Sequence, residues 1–457
     1  MTTMSNIFSD NFLDKRICSI RVPEQYRTID IRSTTSLNIH DMTLNDSNTK
    51  KDEWSKKLDE CKKVLDGQQY QETWYIYKGL MNQYELIHVS SNPNRRHLNV
   101  AETYPLSRSY FKMWELLNDF DILPWTNVSI KTAHFAEGPG GFIEAVAQWR
   151  ALHNKKAQSR SNVVRHDMYA GITLRSTRTD VPGWNKCKRI LHKYPQIRLY
   201  YGKDNTGNIY RVDNIHDFVQ KVGYEKCIFA TGDGGLDYSC DFANQENLSF
   251  KLILCQVYGA WLVLKQGGSF VCKFFDMYES FTHEVLWLLS ITFDVIHIVK
   301  PNTSRPANSE RYIVAKGFRG NCKPLINYIK QVLRVWNNAH CNINRLLITT
   351  VPDSFKQIIY DYNRWYAKKQ CLNILECLKF IDQQYQHQTK TNTEVSTLGS
   401  FKHSRHHVNT SLSYEALIKL FPDIIQSQIH TAVNWCKKYK VTLNTHNPYI
   451  NNTIGFE

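Results

Sequence analysis

Ala136-Glu137-Gly138-Pro139-Gly140-Gly141-Phe142 closes the short apolar run that begins at Lys131 and opens a helical pattern from about 140 to 152. KTAHFA (131–136) reads as a buried strand, so the glycines fall on a strand-to-helix turn. Glycines there let the backbone approach a ligand closely, and a helix N-terminus offers free N–H groups. Pro139 interrupts any G-x-G-x-x-G, and no G-K-[ST] follows, so neither the dinucleotide fingerprint nor a P-loop is present. Taken alone, the stretch fits an ordinary tight turn as well as a ligand-binding loop.

Outward from this turn the chain alternates strand and helix signals. Strands are predicted at 165–173, 196–201, 225–231, 268–275, 293–299 and 311–317. Helices are predicted at 107–120, where Tyr110, Phe111, Trp114 and Leu117 recur at helical spacing, and at 245–265 and 277–291. Such alternation predicts an α/β fold, a mainly parallel sheet with helices on both faces. Ligands of such sheets bind at the carboxyl ends of the strands. Residues 1–100 are polar, with a Ser/Thr/Asn/Asp-rich stretch at 33–49 and a predicted helix at 52–66, and read as an N-terminal accessory region. Residues 101–320 form the α/β domain. Residues 321–457 read as a mostly helical basic region, with a polar loop at 386–412 and a final helix at about 413–440.

Composition narrows the partners. The 457 residues carry 57 Lys plus Arg against 42 Asp plus Glu, a formal net charge of +15, and 42% are hydrophobic. That hydrophobic share excludes global disorder. No run approaches the roughly 18 apolar residues of a membrane span, and MTTMSNIFSDNFLDKR lacks the layout of a secretory signal. The twelve cysteines show no C-x2-C or C-x4-C spacing, so no structural zinc site is expected and a reducing, intracellular setting is. The charge is uneven. Residues 150–198 hold twelve Lys/Arg against Asp167 and Asp180, a candidate phosphate-contact surface whose alternative is a solvated face.

Four side chains stand out. Asp233, in Thr231-Gly232-Asp233-Gly234-Gly235, ends a predicted parallel strand and faces the ligand crevice. Lys273 interrupts the apolar strand SFVCKFF, as a snorkelling edge residue or a functional cation. Glu310 precedes the last strand, where a surface ion pair is the alternative. Lys112 lies on the helix before the glycine turn, where a solvated face is the commoner fate.

Their order carries a resemblance. Ser107-Arg108-x-x-Phe111-Lys112, then E-G-P-G-G-F, strand-end Asp233, GGSFVCKFF with Lys273, and KPxxSRxxNSE with Glu310 resemble the FtsJ-like ribose 2′-O-methyltransferases over roughly 101–318. Within that family the chain looks most like the messenger-RNA cap 2′-O-methyltransferases. Residues 201–208 and 300–312 look close to the cap-2-type branch, and related proteins also occur in large cytoplasmic DNA viruses. The resemblance implies a Rossmann-like S-adenosylmethionine-dependent methyltransferase fold and a catalytic tetrad of Lys112, Asp233, Lys273 and Glu310. It implies S-adenosyl-L-methionine bound over Glu137, Gly138, Pro139, Gly140, Gly141 and Phe142, with Asp204 on the adenine side, Asp233 nearby and no metal. It implies the capped 5′ end of mRNA as substrate, other capping or transcription proteins as partners and no membrane. The implied locations are cytoplasm or nucleus, or the viral factory or virion of a viral chain. His134 stands where many family members have aspartate, and Glu137 matches the cap-2-type branch.

On this reading Lys273 is the base, its pKa depressed by burial and by Lys112, while Asp233 and Glu310 orient the groups. The 2′-OH distinguishes RNA from DNA. Tyr169, Trp184 and Tyr210 are candidates either to stack on a base or to pack in the core. A scaffold on a degenerate methyltransferase domain, a ribosomal or transfer RNA substrate, and a nicotinamide-dependent Rossmann enzyme are the competing readings.

Overall fold

A computed structural model of the chain describes residues 9–10, 16–27, 51–65, 68–89, 97–123, 128–158, 166–178, 181–238, 241, 244–320, 322–338, 343, 345–347, 351–396 and 419–450. Its strands are β1 (Ser9–Asp10), β2 (Ile17–Ile20), β3 (Lys131–Phe135), β4 (Met168–Ile172), β5 (Ile197–Tyr200), β6 (Cys227–Gly232), β7 (Leu264–Phe274), β8 (Phe293–Val299) and β9 (Arg311–Phe318). Its helices are α1 (Glu53–Leu65), α2 (Gln68–Leu80), α3 (Ser109–Asp119), α4 (Gly141–Gln158), α5 (Lys188–Lys193), α6 (Val212–Val222), α7 (Gln245–Val263), α8 (Ser280–Thr292), α9 (Lys323–Asn338), α10 (Asp353–Ser396) and α11 (Pro422–Lys438).

The strands form one sheet in the order β1-β2-β8-β9-β7-β6-β3-β4-β5. The run β7-β6-β3-β4-β5 is parallel throughout. β9 enters antiparallel between β7 and β8, and β2 continues the antiparallel side against β8. β3 is the switch point: the chain leaves it for β4 and β5 on one side and for β6 and β7 on the other. The loop after β3 therefore opens into the crevice where parallel sheets bind ligands.

The helices follow from their apolar periods. α7 is apolar nearly all round and is buried accordingly, against β3, β6 and β7 on one side and α6, α8 and α9 on the other. α6 is a helix beyond those predicted, with Val212, Ile215, Phe218, Val219 and Val222 on one buried face. It stops at Gly223, whose φ of +106° suits glycine.

Both flanking regions pack on the central domain. Ile17 and Cys18 pair with Val299 and Ile298, so residues 17–20 extend the sheet. Leu58 and Cys61 of α1 pack on Ala367, Cys371 and Ile374 of α10. Trp435 and Cys436 of α11 share a core with Tyr110 and Trp114 of α3, and Trp114 Nε1 donates to Tyr439 O at 3.1 Å. The polar loop expected at 386–412 is helical as far as Ser396, the end of α10. Its remainder, 397–412, and the stretch 33–49 lie outside the described residues. Among the described residues no helix is long and apolar enough to cross a membrane.

Candidate active site

A cleft of about 760 Å³ lies along the carboxyl ends of β3, β4, β6 and β7. Ala136, Gly138 and Pro139 line it from the loop after β3, Thr173 and Leu174 from the end of β4, and Asp233 to Asp237 from the end of β6. Gly207 to Tyr210 close one end. Ser107, Arg108, Ser109 and Lys112 form the wall on the α3 side, and Lys273 of β7 is also exposed to the cleft.

The four candidate catalytic side chains converge. Lys112 Nζ lies 2.5 Å from Glu310 Oε1, and Lys273 Nζ lies 3.2 Å from Asp233 Oδ1 and donates to Asp233 O at 2.8 Å. Parallel β6 and β7 bring Asp233 and Lys273 to one end of the sheet. Because β9 runs antiparallel to β7, its start meets the same end, with Lys273 opposite Tyr312. Glu310 thus arrives beside a lysine 37 positions earlier. Tyr312, which the sequence reading did not single out, joins the two pairs. Its hydroxyl is 2.7 Å from Glu310 Oε1 and 3.3 Å from Asp233 Oδ1. The usable signal was its place two residues after Glu310, where the chain enters β9.

The loop carrying Glu310 is held from several sides. Buried Lys300 donates to Asn308 O at 2.9 Å, to Glu310 O at 2.7 Å and to Asn308 Oδ1. Arg305 grips Glu85 through two bonds of 2.6 and 3.1 Å, and Tyr366 and Gln370 of α10 donate to Asn308 O and Ala307 O.

Electrostatics correct one expectation. Burial pushes the Lys273 pKa down, but the Asp233 and Glu310 carboxylates outweigh it, so the pKa stands above the ordinary lysine value. The depressed lysine expected of a resting base is absent, because each lysine has its own carboxylate instead of facing the other lysine unscreened. Burial raises the Glu310 carboxyl, and Lys112, Lys273 and Lys300 reverse this and bring it to about 2.

The glycine turn has specific steric reasons. A Cβ on Gly138 would come within 2.7 Å of Gly183 O, and one on Gly141 within 2.1 Å of Ser109 Oγ. Gly141 thereby lets the N-termini of α3 and α4 meet, which sets Lys112 beside the loop. Gly138 and Pro139 face the cleft; Gly140, Gly141 and Phe142 lie behind its lining. So does Glu137, whose fully buried carboxyl accepts from Thr231 Oγ1 and from the amide of Ile143. Burial, with Asp233 adding to it, holds that carboxyl well above the usual range. His134 sits in the same buried chain, bonded to Thr132 and Thr231 at 2.8 Å each, and burial brings its pKa down to about 3.

Asp204 is outside the cleft lining. Its carboxylate accepts from Thr206 N and Oγ1, Asn214 Nδ2 and Arg211 Nη1, and these bonds hold it below the usual aspartate range. It staples the loop that brings Gly207 to Tyr210 to the cleft. Of the three aromatic candidates, Tyr169 and Trp184 are buried, Trp184 against Gly140 and Gly171, and Tyr210 lines the cleft.

The fold and the cleft define a Rossmann-like domain of the methyltransferase class. Residues 105–318 match the family described as FtsJ-like methyltransferase, and this segment of the chain is an FtsJ-like methyltransferase domain. The cap-specific mRNA (nucleoside-2′-O-)-methyltransferase 1 of Dictyostelium discoideum is 31% identical over 68% of this chain and 41% of its own length. Its namesake in Drosophila melanogaster is 30% identical over 53% and 30%, and that of Mus musculus 28% over 70% and 38%. The chain thus spans less than half the length of these relatives. They carry the designation 1, not the cap-2-type label that 201–208 and 300–312 suggested.

Proposed function

We propose that this chain is an S-adenosylmethionine-dependent RNA ribose 2′-O-methyltransferase acting on the cap-proximal nucleotide of mRNA. The observation that carries this is the joining of Lys112, Glu310, Tyr312, Asp233 and Lys273 into one bonded group, of which Lys112, Asp233 and Lys273 line the same cleft as the glycine loop. The relatives' names support the cap-proximal mRNA substrate.

The residues present fit the cofactor. Gly138 and Gly207 line the cleft with bare backbone and pack so closely on Gly183 and Thr173 that no Cβ fits, and Pro139, Leu174, Ile209 and Leu252 offer apolar surface beside the polar end at Asp233. Ala136, Gly138, Pro139 and Gly207 to Tyr210 would hold it. When bound, S-adenosylmethionine supplies a methyl group already activated on a sulfonium. The protein's task is then to place the ribose hydroxyl and manage its proton. Positioning of this kind supplies about 7–11 kcal/mol in well-oriented reactions.

Lys273 enters that reaction as an ammonium. It donates to the hydroxyl oxygen and aims its lone pair, while Asp233 beside it is the acceptor within reach of the leaving proton. The sign of the pH dependence tests this. With a protonated lysine required, the rate stays level from about pH 7 to 9.5 and falls above that as Lys273 loses its proton. A rate climbing about tenfold per pH unit across that window would restore the neutral lysine as base.

Gly207 tests the cofactor end. Its φ is +67°, and a Cβ would lie 1.8 Å from Thr173 O. Gly207→Ala is expected to weaken S-adenosylmethionine binding roughly tenfold or more, because strain of about 1–3 kcal/mol adds to the clash. Calorimetric titration of both proteins reads it; equal affinities would place the cofactor elsewhere.

The function itself is tested by transfer of labelled methyl to matched RNAs, capped or uncapped, with or without prior 2′-O-methylation at the first nucleotide. Transfer to capped RNA, lost when the first nucleotide is already methylated, is the expected result. No transfer to any RNA overturns the proposal.

A further inference from the structure

The segment that forms the cleft wall opposite Asp233 continues into a strongly basic surface. Residues 172–203 contain eight Lys/Arg and one acid, Asp180. Arg175, Arg178, Lys186, Lys188, Arg189, Lys193, Arg198 and Lys203 are all exposed. Arg178, Val181, Pro182 and Gly183 line the cleft, and α5 follows directly.

Two features separate this surface from an ordinary solvated face. The first is the scarcity of compensating acids. Lys186 and Lys188 have no ionic partner among the described residues, and Glu144, bonded to Arg189 at 3.0 Å, is the acid that approaches α5. Aromatic rings sit under the cations instead: Arg175 lies 5.2 Å from the ring of Tyr201, Arg189 5.9 Å from Tyr104 and Lys193 5.1 Å from Tyr194.

The second is rigid attachment to the site. Trp184 wedges against Gly171 and Gly140, Cys187 Sγ donates to Pro139 O at 3.0 Å, and Gly183 packs on the backbone of Gly138. Arg189 donates to Tyr104 O at 2.6 Å, three residues before Ser107 on the cleft. The basic face is therefore held in a constant position relative to the cofactor loop and the catalytic lysines. Pre-positioned cations interleaved with tyrosines suit a flexible polyanion with π faces, which is single-stranded nucleic acid.

We infer that this face is the track for the RNA strand beyond the target nucleotide, its phosphates running from Arg178 at the cleft wall across α5 by Lys186, Lys188 and Lys193. This rests on the proposed RNA substrate. The track serves length and affinity, while the tetrad serves the chemistry.

The test combines Lys186→Glu, Lys188→Glu and Lys193→Glu in the full chain. All three side chains are exposed, so the fold is undisturbed. Binding of a capped RNA of about 25 nucleotides and of one of about 4 is followed by fluorescence anisotropy across a salt series, beside methyl transfer to both. For the long RNA the variant is expected to bind roughly 10- to 100-fold more weakly, with the salt slope reduced by about 2, since each single-stranded phosphate contact contributes about 0.7. The short RNA and S-adenosylmethionine are expected to bind as before, and kcat to hold. Unchanged long-RNA affinity and slope overturn the track and leave the face to an acidic protein partner. Equal losses for long and short RNA overturn it too, since the lysines then belong to the target site. If the unmodified protein methylates neither RNA, the proposed function fails, and the anisotropy series still decides the track.

Discussion

Replacing Lys273 by methionine is expected to lower methyl transfer to RNA by roughly 10³-fold while leaving S-adenosylmethionine binding within a few-fold. Methionine retains most of the stem volume in the apolar strand. What disappears is the ammonium, which lies 3.2 Å from Asp233 and faces the cleft. The hydroxyl then loses the donor that aims it, and Asp233 loses the contact that holds its carboxylate beside that hydroxyl. Because both effects act on the reacting group, the loss should appear in kcat and kcat/KM alike. Single-turnover transfer with calorimetric binding beside it measures this. A variant within tenfold of the unmodified protein would remove Lys273 from the chemistry.

The second large effect concerns stability and lies outside the cleft. Asp276, two residues past β7, is buried among Lys62 of α1 at 2.5 Å, Ser309 Oγ at 3.1 Å and Arg311 of β9 at 3.6 Å. Arg311 in turn bonds Asn363 of α10 at 2.9 Å and lies 4.1 Å from the ring of Tyr366. Asp276→Ala strands two cations in the interior. Breaking a buried pair from one side costs about 3–5 kcal/mol, so the variant should unfold at markedly lower denaturant concentration. Lys62→Met should cost less, because Arg311 still balances the carboxylate. Burial raises the Asp276 pKa, and Lys62 and Arg311 bring it below the ordinary aspartate value. For a depressed carboxyl the stabilisation is full above the ordinary aspartate range and is lost as pH falls below it. The difference between unmodified and Asp276→Ala proteins should therefore shrink on acidification. A denaturation midpoint unchanged by Asp276→Ala would show that the cluster does not tie α1 and α10 to β9.

Much of the site is legible in the sequence. Largely apolar runs of six to nine residues between turns marked the strands, and Gly138 to Gly141 marked the turn at the switch point. Lys273 and Asp233 were odd where they stood, a charge on an apolar strand and an acid at a strand end, while Lys112 and Glu310 stood out only through the order of the motifs. Such signals are local, because a strand's period or a glycine's freedom is decided within a few residues. The order of the motifs along roughly 101–318 carried the resemblance to the family.

Other features depended on which distant residues meet. Lys273 was expected to titrate low beside Lys112, and instead stands high, because the antiparallel entry of β9 delivers Glu310 to Lys112 and leaves Asp233 to Lys273. Glu137 and His134 turned inward to one another through Thr231. Asp204 serves its own loop, and Tyr312 acquires its place only from the β7–β9 register. Residues 17–20, in the region that reads as accessory, complete the sheet, and α10, in the region that reads as helical and basic, grips the loop that carries Glu310. A residue's chemistry was legible from its type and neighbours in the chain. Its charge state and its role came from partners tens to hundreds of positions away, since Coulombic and desolvation energies depend on spatial distance and burial, neither of which sequence separation records.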